Sequence, residues 1–338
     1  MKLLFVSLGC DKNLVDTEFM LGMLRDDGIE ITNDETEADI IIVNTCCFIN
    51  DAKEESVNTI LEMAEYKKTG PLKALIVTGC LAQRYKEEIK TEIPEVDAIL
   101  GTNSYEDIVK AVHEALGGTF YENFKTLEGL PSIHTKRSVT TGGHFAYLKI
   151  AEGCNKRCTY CIIPYARGRV RSRKIAHVMD EVHALAAKGY KEVVLTGIHL
   201  SSYGVDFPAE EKETLLSLIR AVHEVEGIER IRLGSLEPGI ITEEFVQSIA
   251  ALPKMCPHFH LSLQSGCDTT LERMNRRYRS AEYAEKCGLL RKYLGNPALT
   301  TDVIVGFPME TEEDFQDSYD FVESIHFCLL YTSDAADD

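Results

Sequence analysis

Short apolar runs alternate with amphipathic stretches along most of the 338-residue chain. In the first 120 residues, runs rich in Ile, Val and Leu occupy residues 2–8, 39–44, 73–78 and 97–100, and they are typical of strands buried on both faces. Helical patterns lie at residues 14–26, 51–67, 83–91 and 105–116. This alternation predicts an α/β fold in which an N-terminal domain, residues 1–120, forms an open parallel sheet covered by helices.

The alternation resumes after residues 121–143, a stretch of weak periodicity with several Gly and Pro residues that we interpret as a linker. Strand patterns follow at residues 147–150, 192–195, 230–233, 258–263 and 301–305, with helical patterns at 175–188, 213–225, 243–252, 281–293 and 311–325. Units of this kind predict a partial β/α barrel, similar to a TIM barrel, over residues 144–327. Its active site is expected at the carboxyl ends of the strands.

Composition argues against several functional classes, including general nucleic-acid-binding, membrane-spanning and secreted proteins. The net charge of −18 argues against general nucleic-acid binding, which depends on neutralising phosphates. No apolar run approaches the roughly 18 residues of a membrane span, and no export signal is recognisable. Eleven cysteines in such a chain are expected to be metal ligands or reduced thiols rather than disulfides. We therefore expect a cytoplasmic protein.

Cys154, Cys158 and Cys161 follow the first predicted barrel strand. Three thiolates at this spacing can hold three irons of a [4Fe–4S] cluster and leave the fourth iron open for chemistry. Zinc is the alternative, but zinc motifs usually include a second CxxC or CxxH pair, and none follows here. The motif, with the aromatic Tyr160 before its last cysteine, resembles the signature of radical S-adenosylmethionine (SAM) enzymes, in which SAM chelates the open iron.

Three single cysteines, Cys10, Cys46 and Cys80, each follow a predicted strand of the N-terminal domain. Because the carboxyl ends of parallel strands meet at one edge of an open sheet, we expect these thiols to lie together. A free cysteine is often only a small buried hydrophobe, and this is our expectation for Cys47. Three cysteines at equivalent loop positions instead predict a second cluster site.

Polar residues and glycine also follow successive barrel strands. Each has a turn or packing explanation, and a histidine such as His199 is more often a hydrogen-bonded loop residue than a base. Together they are expected to line a SAM pocket with Tyr160. The predicted pocket residues are Thr196, His199, Ser235, Glu237, Gln264 and Gly306.

Two cysteine triads in this order, on an α/β domain followed by a radical SAM barrel, resemble the methylthiotransferase family over residues 1–327. The resemblance implies an enzyme that replaces C–H by C–S–CH3, on a hypermodified adenosine of tRNA or on an aspartate of a small-subunit ribosomal protein. It implies SAM, an electron donor such as flavodoxin or ferredoxin, and two [4Fe–4S] clusters. Cys10, Cys46 and Cys80 would hold the auxiliary cluster, and Cys154, Cys158 and Cys161 the catalytic SAM cluster.

The two halves resemble different branches of that family. Residues 1–160 resemble the ribosomal-protein branch (RimO type), through residues 8–16, 51–56, 78–85 and 147–154. Residues 164–327 resemble the tRNA threonylcarbamoyladenosine branch (MtaB type), through residues 163–169, 195–199, 232–238 and 261–266. The sequence thus predicts either an intermediate member or a chimera. Because the target C–H must reach the barrel mouth, it favours tRNA over a ribosomal protein.

Two departures from the family pattern and two basic runs carry further expectations. Met309 stands where the family has a glycine and is expected to perturb a loop on the SAM side. Residues 328–338 match neither a further strand nor an RNA-binding domain and resemble translated adapter sequence, so the barrel is predicted to be truncated and Cys328 to be without function. Two basic runs, residues 167–174 and 273–279, are predicted to be either a solvated face or a site for phosphates or an acidic substrate loop.

Two rival functional classes stay open. One is a non-catalytic iron–sulfur or zinc module that senses redox state or binds a partner, against which the polar strand ends count. The other is a radical SAM enzyme of different outcome, for which the N-terminal cysteine triad would be unexplained.

Overall fold

The computed structural model describes residues 1–131, 137–208, 210–211 and 213–334. Residues 132–136 of the predicted linker and 335–338 of the predicted tail lie outside the described residues. The chain divides into two compact units: unit 1 is Met1–Thr140 with Ile162–Arg169, and unit 2 is Thr141–Cys161 with Val170–Asp338. The segment Ile162–Arg169 thus departs from the predicted domain order, since it follows the barrel's cysteine loop in sequence but packs with unit 1.

Unit 1 contains the open parallel sheet expected from the sequence. Its strands are β1 (Lys2–Ser7), β2 (Glu30–Thr32), β3 (Ile40–Thr45), β4 (Ala74–Gly79), β5 (Ala98–Leu100) and β6 (Tyr121–Asn123). Its helices are α1 (Asp11–Asp26), α2 (Asn50–Thr69), α3 (Cys80–Arg84), α4 (Lys86–Glu92), α5 (Ile108–Leu116) and α6 (Ile163–Ala166). The order β2-β1-β3-β4-β5-β6 is parallel throughout, and β6 extends the sheet into residues predicted as linker.

The central strands of unit 1 place three loops at one edge of the sheet. Every residue of β3 and β4 is buried, as their continuous apolar sequences predict. Ser7 at the end of β1 pairs with Asn44, and Thr45 at the end of β3 pairs with Gly79. The loops that follow β1, β3 and β4 therefore leave the sheet side by side.

Unit 2 is a partial barrel. Its strands are β7 (Phe145–Glu152), β8 (Arg171–Ser172), β9 (Glu192–Gly197), β10 (Arg230–Leu233), β11 (His258–His260), β12 (Ala298–Val305) and β13 (Leu329–Asp334). Its helices are α7 (Ile175–Ala187), α8 (Leu215–His223), α9 (Glu243–Ala250), α10 (Asp268–Arg273), α11 (Ser280–Leu294) and α12 (Glu312–Ile325). Parallel pairs join β7 to β9 to β10 and β11 to β12 to β13, while the bridge between Leu236 and Leu261 connects the two groups. Only β8, among the described strands, pairs antiparallel.

The last described strand corrects the prediction for residues 328–338. Leu329–Asp334 pairs in parallel with β12, so a further barrel strand is present where none was expected. The backbone N–H of Cys328 donates to the Leu299 carbonyl at 2.8 Å as this pairing begins. Leu, Tyr and Thr fit a pleated strand well, which the departure from the family motifs obscured. Among the described residues, no helix is both long and apolar enough to cross a bilayer.

Candidate metal centres

The three predicted N-terminal cysteines lie on the neighbouring loops of unit 1. Cys10 directly precedes α1, Cys46 follows β3, and Cys80 is the first residue of α3. Cys10 is exposed, whereas Cys46 and Cys80 are buried. Burial raises the pKa of Cys46 to about 11, and the Cys80 and Cys10 thiols contribute in the same direction. The structure places the three cysteines on neighbouring loops, and their service as one ligand set stays a prediction.

Gly9 allows the loop carrying Cys10 to approach Cys46. Its φ of +82° lies in the left-handed region, which glycine adopts without strain. A Cβ at this position would lie 2.7 Å from Cys46 Cβ and 2.9 Å from Cys46 Sγ. Any larger residue would therefore push on the candidate ligand itself.

Buried polar side chains hold the same loops. The Ser56 hydroxyl accepts from the Cys46 N–H at 3.0 Å and donates to the Cys46 carbonyl at 2.8 Å. Asn13 Nδ2 donates to the carbonyls of Leu8 at 3.0 Å and Thr45 at 2.9 Å, joining the loops after β1 and β3. Sequence reasoning missed both roles, although Ser56 lies within one of the stretches that resemble the family.

A buried guanidinium completes this group. Arg167 is 1% exposed, and its Nε donates to Cys80 Sγ at 3.3 Å. Its Nη1 donates to Asp16 at 2.7 Å, and its Nη2 donates to Asn13 Oδ1.

Arg167 belongs to the first basic run, which was predicted to be either a solvated face or a site for phosphates or an acidic loop. Both predictions are wrong for the buried members of that run. Arg167, Arg171 and Arg173 are all buried, so they form neither a solvated face nor an exposed phosphate site. Arg173 pairs with Glu181 at 2.7 Å. Arg167 and Arg173 neutralise the buried or half-buried carboxylates of Asp16 and Glu181. The alternation of basic and small residues along the chain did not indicate these pairings.

Cys47 is fully buried in a hydrophobic cluster of unit 1 with Ile60, Leu75 and Val77 among its members. Burial raises the pKa of its thiol to about 12. Cys80 belongs to the same cluster, so burial does not distinguish Cys47 from a candidate ligand, and its packing role stays a prediction.

The second predicted triad occupies one loop directly after β7 in unit 2. Cys154, Cys158 and Cys161 are all partly buried. The Lys156 N–H donates to Cys154 Sγ at 3.3 Å, and the Cys161 N–H donates to the Cys158 carbonyl at 3.1 Å. Backbone N–H groups of the loop therefore form hydrogen bonds within the loop, one of them to a cysteine sulfur.

The segment after α10 holds this cysteine loop. Asn275 Nδ2 donates to the Arg157 carbonyl at 2.7 Å, and the Thr159 N–H donates to the Met274 carbonyl at 3.2 Å. Arg276 Nη1 donates to Cys158 Sγ at 3.4 Å. The second basic run therefore contains a buried loop anchor, which corrects the prediction of a solvated face or a phosphate site for Arg276.

Glu237 connects the cysteine loop with a predicted pocket residue. Its carboxylate lies 2.6 Å from Lys156 Nζ, 3.4 Å from His199 Nε2 and 3.7 Å from Arg276 Nη1. Burial favours the neutral acid, but His199, Lys156 and Arg276 outweigh it and hold the pKa of Glu237 at about 2. His199 Nδ1 also lies 2.6 Å from Ser202 Oγ. Glu237 and His199 are thus brought together beside a charged, partly buried loop.

The other predicted pocket residues are spread over the strand ends of unit 2. Tyr160 meets Phe307 edge to face, with ring centroids 6.3 Å apart. The Gly306 N–H donates to Glu310 at 2.6 Å. The remaining three are Thr196, buried in β9, Ser235, partly buried after β10, and Gln264, which forms a bridge to Val303.

The donor sets are suited to iron–sulfur clusters. Among the described residues, no three His, Cys, Asp or Glu side chains are grouped tightly enough for a single metal ion. Each triad consists of thiols alone and has one guanidinium directed at a sulfur. Positive donors of this kind suit a negatively charged cluster.

Comparison with known families covers both units. Residues 2–101 match the model described as "Uncharacterized protein family UPF0004", and residues 148–322 match the radical SAM superfamily. The chain is 51% identical over 327 residues to a ribosomal protein uS12 methylthiotransferase RimO of Lachnoclostridium phytofermentans, covering 97% of this chain and 74% of that protein. It is 44% identical to the protein of the same name from Clostridioides difficile, covering 98% of this chain and 74% of the relative.

These relatives align across the position where a change of branch was predicted. Their similarity runs through both halves under one name, which gives no support to an MtaB-type segment or to a chimera. The names of these two relatives mention neither a tRNA substrate nor an electron donor. The prediction from the barrel half therefore misjudged the branch, because its short strand-end motifs are less specific than similarity along the whole chain.

Solved structures show the same fold at low sequence identity. The radical SAM methyltransferase TsrM from Kitasatospora setae, with cobalamin and a [4Fe–4S] cluster bound, superimposes with a TM-score of 0.67 at 14% identity, covering 98% of this chain and 74% of that one. The cobalamin-dependent radical enzyme OxsB superimposes with a TM-score of 0.61 at 14% identity, covering 95% and 52%. From the matched family models and the extent of the similarity to its relatives, this chain belongs to the RimO-type radical SAM methylthiotransferases.

Proposed function

We propose that this enzyme inserts a methylthio group into ribosomal protein uS12, converting a C–H of an aspartate side chain to C–S–CH3. The observation that supports this proposal is that each unit carries one predicted set of three cysteines, with a guanidinium directed at one sulfur of each set. Radical generation needs one cluster, and sulfur donation needs another. The names of the relatives support uS12 as the substrate.

In this function the two units divide the work. Cys154, Cys158 and Cys161 hold the SAM cluster, and Cys10, Cys46 and Cys80 hold the auxiliary cluster. When bound, SAM and the clusters supply the one-electron chemistry that breaks an unactivated C–H bond and the sulfur that replaces the hydrogen.

Side chains of unit 2 are proposed to orient SAM and its cluster. Glu237, kept ionised by its neighbours, offers a carboxylate to a cationic group of SAM, while His199 and Lys156 fix its direction. The packed rings of Tyr160 and Phe307 support the loop that ends in Cys161. Thr196, Ser235, Gln264 and Gly306 complete the proposed pocket. We place the reaction in the cytoplasm, where thiols stay reduced.

Single substitutions test the division of labour. Cys158→Ala should abolish release of 5′-deoxyadenosine from SAM by the dithionite-reduced enzyme. Cys80→Ala should still release it but should not form the methylthio product. Cys47→Ala is the matched control, since it removes a buried thiol of the same unit that lies outside the proposed ligand set, and it should retain both activities. Normal methylthio transfer by the Cys80 variant would show that the two-site scheme is wrong.

The substrate is tested by offering the reconstituted enzyme purified uS12 and, separately, threonylcarbamoyl-modified tRNA. Mass spectrometry should find the methylthio gain on uS12 alone. A gain on tRNA alone would overturn the substrate proposal while leaving the two-cluster chemistry intact. Iron binding without any SAM cleavage would instead favour the redox-sensing module.

A further inference from the structure

We propose that Arg167 is the charge partner of the auxiliary cluster and raises its reduction potential through the hydrogen bond to Cys80. Its side chain is fully buried in unit 1, and Nε lies 3.3 Å from Cys80 Sγ. This inference rests on the proposed function, since it needs a cluster on Cys10, Cys46 and Cys80.

The orientation of the guanidinium separates this role from that of a structural ion pair. Its donors reach three different side chains: Nη1 reaches Asp16, Nη2 reaches Asn13, and Nε is directed at the sulfur, a contact that an ion pair with Asp16 does not require. Asp16 and Asn13 both lie on α1, so the helix fixes two arms of the guanidinium while the third points at the candidate ligand.

Electrostatics gives the direction of the effect. One-electron reduction adds a negative charge to a cluster, and a nearby positive charge stabilises the reduced form. Hydrogen bonds to cluster sulfurs and the local charge are among the factors that set cluster potentials. Arg167 provides the hydrogen bond, and because Asp16 offsets part of its positive charge, the contact with Cys80 Sγ carries the larger share of the proposed effect.

The same type of contact recurs at the other triad. Arg276 is also largely buried, and its Nη1 lies 3.4 Å from Cys158 Sγ. A guanidinium directed at one sulfur therefore accompanies each thiol set, although the two arginines come from different segments of the chain. We restrict the proposal to Arg167, whose neighbours Asp16 and Asn13 allow a controlled substitution.

The test isolates the auxiliary cluster. In the 338-residue chain with Cys154, Cys158 and Cys161 all changed to Ala, the remaining cluster is reconstituted with iron and sulfide. Its midpoint potential is then measured by titration with dithionite, followed by electron paramagnetic resonance. Arg167→Met should shift the midpoint to more negative potential, and Arg167→Lys, which keeps the charge, should recover part of the shift.

Two further variants separate electrostatics from folding. Arg167→Met with Asp16→Asn removes both buried charges, so it folds without an unpaired carboxylate, and it should still show the negative shift because the sulfur has lost its donor. Arg137→Met with Glu18→Gln removes another buried ion pair of unit 1 and should leave the potential unchanged.

The outcomes distinguish the two proposals. Unchanged potentials and spectra in all Arg167 variants would overturn the charge-partner role while leaving the proposed function standing. Failure of the background protein itself to assemble a cluster would overturn the auxiliary site, and this inference with it. A shift of the same size in the Arg137 control would show that the effect is not specific to the sulfur contact.

Discussion

Position 9 requires glycine for two reasons: its φ is positive, and a Cβ there would collide with Cys46. Gly9→Ala should therefore lower the iron bound in the N-terminal site, because its new Cβ would displace Cys46. Gly28→Ala is the matched control: its φ is +83°, but no atom lies within 4 Å of the added Cβ. Iron and sulfide analysis after reconstitution measures the difference, and equal iron loss in both variants would attribute the effect to backbone strain alone.

Met309 shows the opposite situation, a bulky residue where glycine would fit better. Its φ is +68° and its side chain is 79% exposed, so it has backbone strain with little packing in return. Met309→Gly should raise the free energy of unfolding by about 0.5–1 kcal/mol. Met309→Ala removes the same side chain but keeps the strain, and urea unfolding should show no comparable gain. A similar gain in both variants would mean that the exposed side chain, rather than φ, is unfavourable.

At the scale of elements, α2 contributes to the N-terminal site through one residue. Ser56 pairs with both backbone groups of Cys46, so Ser56→Ala leaves two buried polar groups unpaired. We expect a loss of about 1–3 kcal/mol in unfolding free energy, together with weaker iron retention under chelator challenge. Asn58→Ala, on an exposed position of the same helix, is the control. Full iron retention by the Ser56 variant would show that the loop holds Cys46 without it.

The longer helices and strands were largely predictable from the sequence, whereas the side-chain contacts between distant segments were not. Strands β3 and β4 are continuous apolar runs, which is the pattern of a central parallel strand. Strands of two or three residues, such as β2, β6 and β8, contain too few residues to show a period.

Among the site residues, the cysteines were predictable because strand ends share an edge. Arg167 and Arg276 were not, since they meet their sulfur partners across 87 and 118 residues of sequence. A charge pattern read along the chain cannot show which distant group neutralises a buried arginine. The roles of Arg167 and Arg276 follow from the burial of their side chains and from the sulfur atoms that they contact.

At the scale of the molecule, residues 137–140, at the end of the first segment of unit 1, are bound to α1 by hydrogen bonds. Glu18 is fully buried, and its carboxylate accepts from Arg137 Nε at 2.7 Å and from the Thr140 N–H at 2.6 Å. Glu18→Ala leaves the Arg137 charge buried without this partner and should cost about 3–5 kcal/mol in unfolding free energy. It should also expose residues 137–140 to trypsin, with cleavage after Arg137 identified by mass spectrometry.

Glu30→Ala, which removes an exposed carboxylate of the same unit, should change neither stability nor cleavage. Replacing both partners, with Glu18→Gln and Arg137→Met, should restore much of the stability because no charge is left buried alone. An unaltered urea midpoint in Glu18→Ala would rule out this anchor.

The placement of the two cysteine sets also has a consequence for how the enzyme is made. Cys154, Cys158 and Cys161 lie within one short loop, whereas Cys10, Cys46 and Cys80 are more than thirty residues apart in sequence and meet only when β1, β3 and β4 are paired. Parallel pairing between distant segments forms slowly compared with local structure. A refolding chain therefore has its three loop thiols near one another before the N-terminal three have met, and before Asn275 and Arg276 contact that loop. Iron and sulfide supplied early should therefore reach the loop thiols first.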